Sequence, residues 1–163
     1  MSDPDSSSPL FCFGTLMDET VLGIVTGLDP GTLRVERAVA FDHAQREVLE
    51  ESFPILRAAP GERAAGTLVH GLDERAFERV LFFEGDEYAL APIEVRVGEE
   101  ARAAVYFRDL GVYRPSGHPW SFARWRRAAG YADFLDLTAR YMRLFGHMSA
   151  READAIWSGG RDV

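Results

Sequence analysis

The spacing of apolar residues divides the chain into a strand-rich first part and a helical last part. Leu10 to Phe13 is a short apolar run that stops at Gly14-Thr15. Asp18 and Glu19 then supply the acidic first turn of a helix through Val21, Leu22 and Val25, closed by Gly27. The pattern predicts a strand, a glycine turn and a helix. Asp29-Pro30-Gly31 predicts a turn, strands are expected over Leu33 to Phe41 and around Phe53 to Leu56, and Ala59-Pro60-Gly61 predicts another turn. Ala65 to Leu72 reads as a further strand, and Asp73 is a candidate N-cap for a helix ending at Gly85. Tyr88 to Val97 alternates Ile93, Val95 and Val97 against Glu94 and Arg96. Ala101 to Arg108 alternates Ala103, Val105 and Phe107 against Ala104 and Tyr106, again the two-residue period of a strand.

Leu110 to Trp120, rich in glycine and proline, predicts a loop, and from about residue 121 the period becomes helical. Phe122, Trp125 and Ala129 fall at helix spacing, and Phe134, Leu137, Tyr141, Leu144 and Phe145 form an apolar stripe ended by Gly146. Ser149 to Glu152 fits a capping box for a last short helix carrying Ile156 and Trp157. The expected class is α+β, with a helical C-terminal part packed on a β core. Residues 1–9, acidic and polar, are expected to form a disordered tail ahead of a single domain over 10–163.

Composition narrows the chemistry. The chain has 163 residues, enough for a proper core without a metal or disulfide staple. All 18 basic residues are arginine, which excludes Schiff-base lysines, phosphate-loop lysines and Ser-Lys dyads. Asparagine is absent, so there is no Cys-His-Asn triad, and the single Cys12 excludes an internal disulfide, a CxxC pair and a cysteine-based zinc site. His43, His70, His118 and His147 are scattered without metal-ligand spacing, so no metal is expected. A net charge of −8 argues against nucleic acid or an anionic membrane surface as the main partner. No long apolar run or signal peptide is present, and a soluble, cytoplasmic protein is expected.

Glu84 is the most informative position. Phe77, Val80 and Leu81 stand at i, i+3 and i+4 of the predicted helix, so Glu84 at i+7 extends an inward stripe. Burial and the negative helix end both favour the protonated acid, which suits proton transfer near neutral pH. The plain alternative is a helix-end glutamate that rotates into water. The turn Phe13-Gly14-Thr15-Leu16 exposes backbone N–H groups ahead of a helix, a ready site for a carboxylate or phosphate, although such junctions also occur as ordinary turns. Cys12 reads as a core thiol, and the alternative is a nucleophile served by a distant histidine.

Taken in order, LFCFGTL, SFPIL, AAGTLVHGL and RVLFFEGDEYALAPIEVRV resemble the gamma-glutamylcyclotransferase family, and WSFARWRRAAGYADFLDLTARYM is similar to the tail of its plant avirulence-induced-gene-like branch. The resemblance implies a small mixed β-barrel flanked by helices, with turn amides that hold the substrate and one glutamate that performs acid-base catalysis. The family's Tyr-Gly-(Ser/Thr)-Leu motif falls on Phe13, Gly14, Thr15 and Leu16, with the tyrosine hydroxyl lost at Phe13. Its catalytic glutamate falls on Glu84 and its downstream aromatic on Tyr88, and Tyr106 in the following strand is expected to line the same cavity. The implied reaction closes a gamma-glutamyl amine, amino acid or peptide to 5-oxoproline with release of the amine. The small-molecule gamma-glutamyl substrate is the expected partner, and no cofactor is required. Rival readings are a non-catalytic small-molecule binding or regulatory protein on the same fold, a cysteine enzyme using Cys12, and an interaction module using the helical C-terminus.

Overall fold

The computed structural model describes residues 8–161, with side chains as far as residue 156. Most of the expected tail (residues 1–7) and the Trp157 side chain therefore lie outside the described residues. Strand β1 (Leu10–Cys12) leads through a 3-10 turn (Thr15–Met17) into helix α1 (Glu19–Thr26). Two long strands follow, β2 (Arg34–Val48) and β3 (Pro54–His70), and then α2 (Glu74–Glu84). The hairpin β4 (Tyr88–Val97) and β5 (Glu100–Asp109), a short β6 (Pro115–Pro119), and helices α3 (Phe122–Arg127), α4 (Tyr131–Met142) and α5 (Ala150–Arg161) complete the order.

Five strands close on themselves in the order β3-β1-β5-β4-β2, with β2 pairing back to β3, and β6 adds to β2 outside the ring. The pairing of β1 with β5 is parallel and the others are antiparallel, so the barrel is mixed. Strand alternation sorts the side chains. Phe11, Phe13, Leu68, Val95, Ala104 and Tyr106 belong to the cluster filling the barrel, whereas Leu10, Cys12, Val69, Val105 and Phe107 pack with the helices. Gly66 is required where β3 crosses β1, because a Cβ there would overlap the Cys12 carbonyl and the Phe11 ring.

Two predicted features differ from the structure. Ala59-Pro60-Gly61 is not a turn between strands but lies inside β3, where the pairing with β2 shifts register between Phe41 and His43. Asp42 (φ 59°) and Gly61 (φ 84°) both adopt left-handed backbone there, and the Asp42 carboxylate accepts the Gly61 N–H at 2.9 Å. Proline and glycine mark this bulge with the same local signal as a turn. The second difference is β6, which occupies part of the predicted loop and docks on β2 through Arg46–Pro119 and Val48–Pro115. An edge strand with few paired residues tolerates proline.

The helical termini follow the sequence closely. Asp18 caps α1 by accepting the Val21 N–H at 3.0 Å, Asp73 caps α2 through Ala76 at 2.8 Å, and Ser121 caps α3 through Arg124 at 3.2 Å. Ser149 and Glu152 form the reciprocal capping box of α5. Arg79 of α2 donates to the carbonyls of Val25 at 2.7 Å and Ile24 at 3.1 Å, satisfying the open end of α1. The fully buried Asp18 side chain also accepts the Tyr131 hydroxyl at 2.8 Å and lies 3.5 Å from the Arg126 guanidinium, which ties the helical layer to the start of α1.

Candidate functional site

A cavity of about 630 Å³ opens between the barrel and the helical layer. The turn after β1 contributes Phe13, Gly14, Thr15 and Leu16, and the end of α2 contributes Phe83 and Glu84, followed by Glu87 and Tyr88. Residues 50–53 of the β2–β3 connection and Pro54 at the start of β3, together with Tyr113, form another wall. Phe134, Leu137, Thr138 and Tyr141 of α4 and Asp154 of α5 complete it, so the C-terminal helices wall the cavity directly.

The local sequence explains the turn. The 3-10 bonds run from the Met17 N–H to the Gly14 carbonyl and from the Asp18 N–H to the Thr15 carbonyl, which leaves the amides of Gly14, Thr15 and Leu16 outside the turn's own ladder. A Cβ on Gly14 would press to 3.0 Å on the Pro54 ring, so glycine lets the start of β3 approach this turn. Gln45, 32 residues further along the chain, donates its side-chain amide to the Phe13 carbonyl at 2.8 Å and to the Ala65 carbonyl at 2.9 Å. That clamp fixes the residue immediately before the glycine, and nothing in the spacing of the sequence signals it.

Glu84 is the last residue of α2, and its half-buried side chain faces the cavity. Its carboxyl makes no hydrogen bond among the described residues, so nothing offsets the loss of water around the charged form. Burial accordingly pushes its pKa from 4.5 up to about 8. The Tyr88 phenol is also raised, by burial first and then by the charge of Glu84. Cys12 lies on the cavity wall but is buried, and desolvation followed by the Glu84 charge drives its thiol far upward. A thiol so held is a neutral wall and not a nucleophile.

Six of the residues expected at the site, Phe13 to Leu16, Glu84 and Tyr88, meet around this one cavity. Tyr106 does not join them. Phe107 lines the cavity, and alternation along β5 therefore sends Tyr106 into the barrel, where it packs edge-on against Phe13 with ring centres 6.3 Å apart. Gln45, Tyr113, Tyr141 and Asp154 are the parts that sequence reasoning missed. Among the described residues no group of three or more His, Cys, Asp or Glu side chains is arranged to hold a metal ion, and no helix is long and apolar enough to cross a membrane.

The sequence model of the gamma-glutamyl cyclotransferase, AIG2-like family matches residues 10–127. The chain belongs to that family. Solved structures agree on the AIG2-like fold. The Arabidopsis thaliana protein At5g39720.1 is 18% identical with a TM-score of 0.60, over 87% of this chain and 96% of its own. A second Arabidopsis thaliana protein, At3g28950.1, is 17% identical with a TM-score of 0.60, over 90% of this chain and 88% of its own. A structure described as a gamma-glutamyl cyclotransferase is 11% identical with a TM-score of 0.54, over 91% of this chain and 86% of its own. At such identities the likeness speaks for the fold alone. No curated protein matches the chain.

Proposed function

We propose that this AIG2-like protein cyclises the gamma-glutamyl group of a small amide to 5-oxoproline and releases the amine, with Glu84 moving the proton. The observation that carries the reading is an enclosed carboxyl group, pushed up to about 8, in a cavity shared with the Gly14 turn. The amides of Gly14, Thr15 and Leu16 hold the substrate's carboxylate or polarise the reacting carbonyl. The substrate's own α-amine attacks its side-chain carbonyl carbon. The new C–N bond closes a five-membered ring, and the proton leaving the amine passes to Glu84. Collapse of the tetrahedral intermediate breaks the original amide C–N bond while Glu84 returns the proton to the departing nitrogen.

No protein nucleophile is involved, since the two reacting ends already belong to one molecule and need only be held in a near-attack geometry. A carboxyl near 8 can both accept and return a proton close to neutral pH. Glu84→Gln keeps the shape and removes the base. The expected result is a fall in kcat of about a thousandfold with the fold intact. In the wild type, kcat/KM should rise with pH to a plateau above about 8. Full turnover by Glu84→Gln contradicts the assignment.

A further inference from the structure

We infer that Gln45 is a positioning residue, which aims the Gly14 N–H into the cavity by holding the carbonyl at the other side of the same peptide bond. The role rests on the cyclisation reading, in which this N–H meets the substrate's carboxylate or its reacting carbonyl. The Phe13 carbonyl and the Gly14 N–H belong to one planar trans peptide unit and point in opposite directions. Gln45 Nε2 donates to that carbonyl at 2.8 Å and to the Ala65 carbonyl at 2.9 Å, so both of its hydrogens are used and the peptide plane is pinned to β3. The Gly14 N–H therefore faces away from Gln45, at a residue that lines the cavity, and it donates no hydrogen bond among the described residues. The next two amides are aimed by the turn itself. The Gly14 carbonyl, which shares its peptide with the Thr15 N–H, accepts from Met17 at 3.0 Å, and the Thr15 carbonyl, which shares its peptide with the Leu16 N–H, accepts from Asp18 at 3.1 Å. The Phe13–Gly14 peptide has no such local partner, and Gln45 supplies one. A carbonyl that accepts a hydrogen bond also polarises its own amide, so the Gly14 N–H becomes the stronger donor.

The bulge between Phe41 and His43 turns Gln45 toward this peptide. Ahead of the bulge the even-numbered residues of β2 face the barrel interior, where Ala38 and Ala40 join its cluster, and the odd-numbered Val35 and Phe41 are exposed. Alternation alone would send Gln45, another odd-numbered residue, outward. After the register shift Gln45 stands opposite Leu56, a member of the interior cluster, and shares its face. Strand β3 keeps its parity throughout, with Leu56, Ala64 and Leu68 all inside, so the shift re-aims β2 alone. The backbone carbonyl of Gln45 then accepts the Trp120 N–H at 3.2 Å, immediately after β6, which docks beside it on β2. The bulge and β6, the two features that depart from the sequence pattern, thus meet at one residue.

The test uses the full-length protein with gamma-glutamyl amides of simple amines and amino acids. Gln45→Met keeps the length of the side chain without its donor, and Gln45→Glu sets acceptor atoms against the two carbonyls. Each should lower kcat/KM by about tenfold or more, part of the roughly hundredfold to thousandfold that outright loss of such a donor costs. The limb of the pH profile set by Glu84 should stay at about 8, because Gln45 bonds to the turn and not to that carboxyl. A merely structural loosening would let water reach Glu84 and move the limb to lower pH, and that result overturns the inference. Unchanged kcat/KM in both variants overturns it as well and leaves the cyclisation reading standing. If no amide yields 5-oxoproline with the wild type, that reading fails, and NMR of the Gly14 amide then decides the inference. In Gln45→Met its nitrogen resonance should move as the polarisation of its peptide is lost, and titration with 5-oxoproline should shift it less than in the wild type. A resonance that ignores the substitution, or a titration that is equal or absent in both proteins, overturns the inference.

Discussion

Glu84 titrates in an environment that the unfolded chain lacks, and this has a consequence for stability. Its folded-state pKa is raised from 4.5 to about 8, so the native protein holds this proton more tightly than the unfolded chain does. The contribution of Glu84 to native stability is then greatest below about 4.5 and declines as pH climbs toward 8. At about 1.4 kcal/mol per tenfold the shift sets a ceiling near ~5 kcal/mol, and water in the cavity lowers the expected effect to about 2–3 kcal/mol. Urea titrations at pH 5 and pH 8.5 should show this decline in the wild type and its absence in Glu84→Gln. Equal pH dependence in both proteins contradicts the burial of this acid. Cys12 provides a second check, because a buried thiol held far above its usual pKa reacts only when the chain opens. Iodoacetamide should label it slowly in the native state, and fast labelling with loss of activity would contradict its assignment as a wall residue.

At the scale of elements, the barrel depends on close approach between β1 and β3. Gly66→Ala forces a methyl group into the Cys12 carbonyl and the Phe11 ring, and about 3 kcal/mol of stability should be lost, read from the urea midpoint. A variant as stable as the wild type would refute the tight crossing. The caps at Asp73 and Ser149 were legible in the sequence because each is a contact within three residues, whereas Asp18, expected inside the first turn of α1, proves to be its cap. The alternation of β4 and β5 was legible for the same reason. The Pro60-Gly61 bulge and β6 were not, because distant partner strands decide whether such a segment turns, bends or pairs. Tyr106 illustrates the limit within a single strand. Its neighbourhood was correct, but the parity of β5 relative to the barrel wall is set by the closed sheet.

Across the whole molecule, the cavity lies on the seam between barrel and helices, so its shape depends on how the two layers are locked. Asp18 holds that lock from inside, taking the Val21 amide, the Tyr131 hydroxyl and the nearby Arg126 charge. Asp18→Ala should cost about 2–3 kcal/mol, since it removes a cap and strands a partly buried hydroxyl. Because α4 walls the cavity, the same variant should raise KM more than it lowers kcat, and an unchanged KM would show that the helical layer does not shape the site. Glu84 and the Gly14 turn could be found from local pattern and family resemblance. Gln45 reaches the Phe13 carbonyl, and Tyr113 and Asp154 the cavity, only through the closure of the barrel and the return of the C-terminal helices.

The most direct measurement is to identify what the purified protein releases from a gamma-glutamyl amide. Ring closure by the substrate's own amine predicts 5-oxoproline and free amine in equal amounts from the wild type, and neither from Glu84→Gln. Glutamate as the product, which needs attack by water on the same carbonyl, or 5-oxoproline formed equally by the variant, would contradict the account.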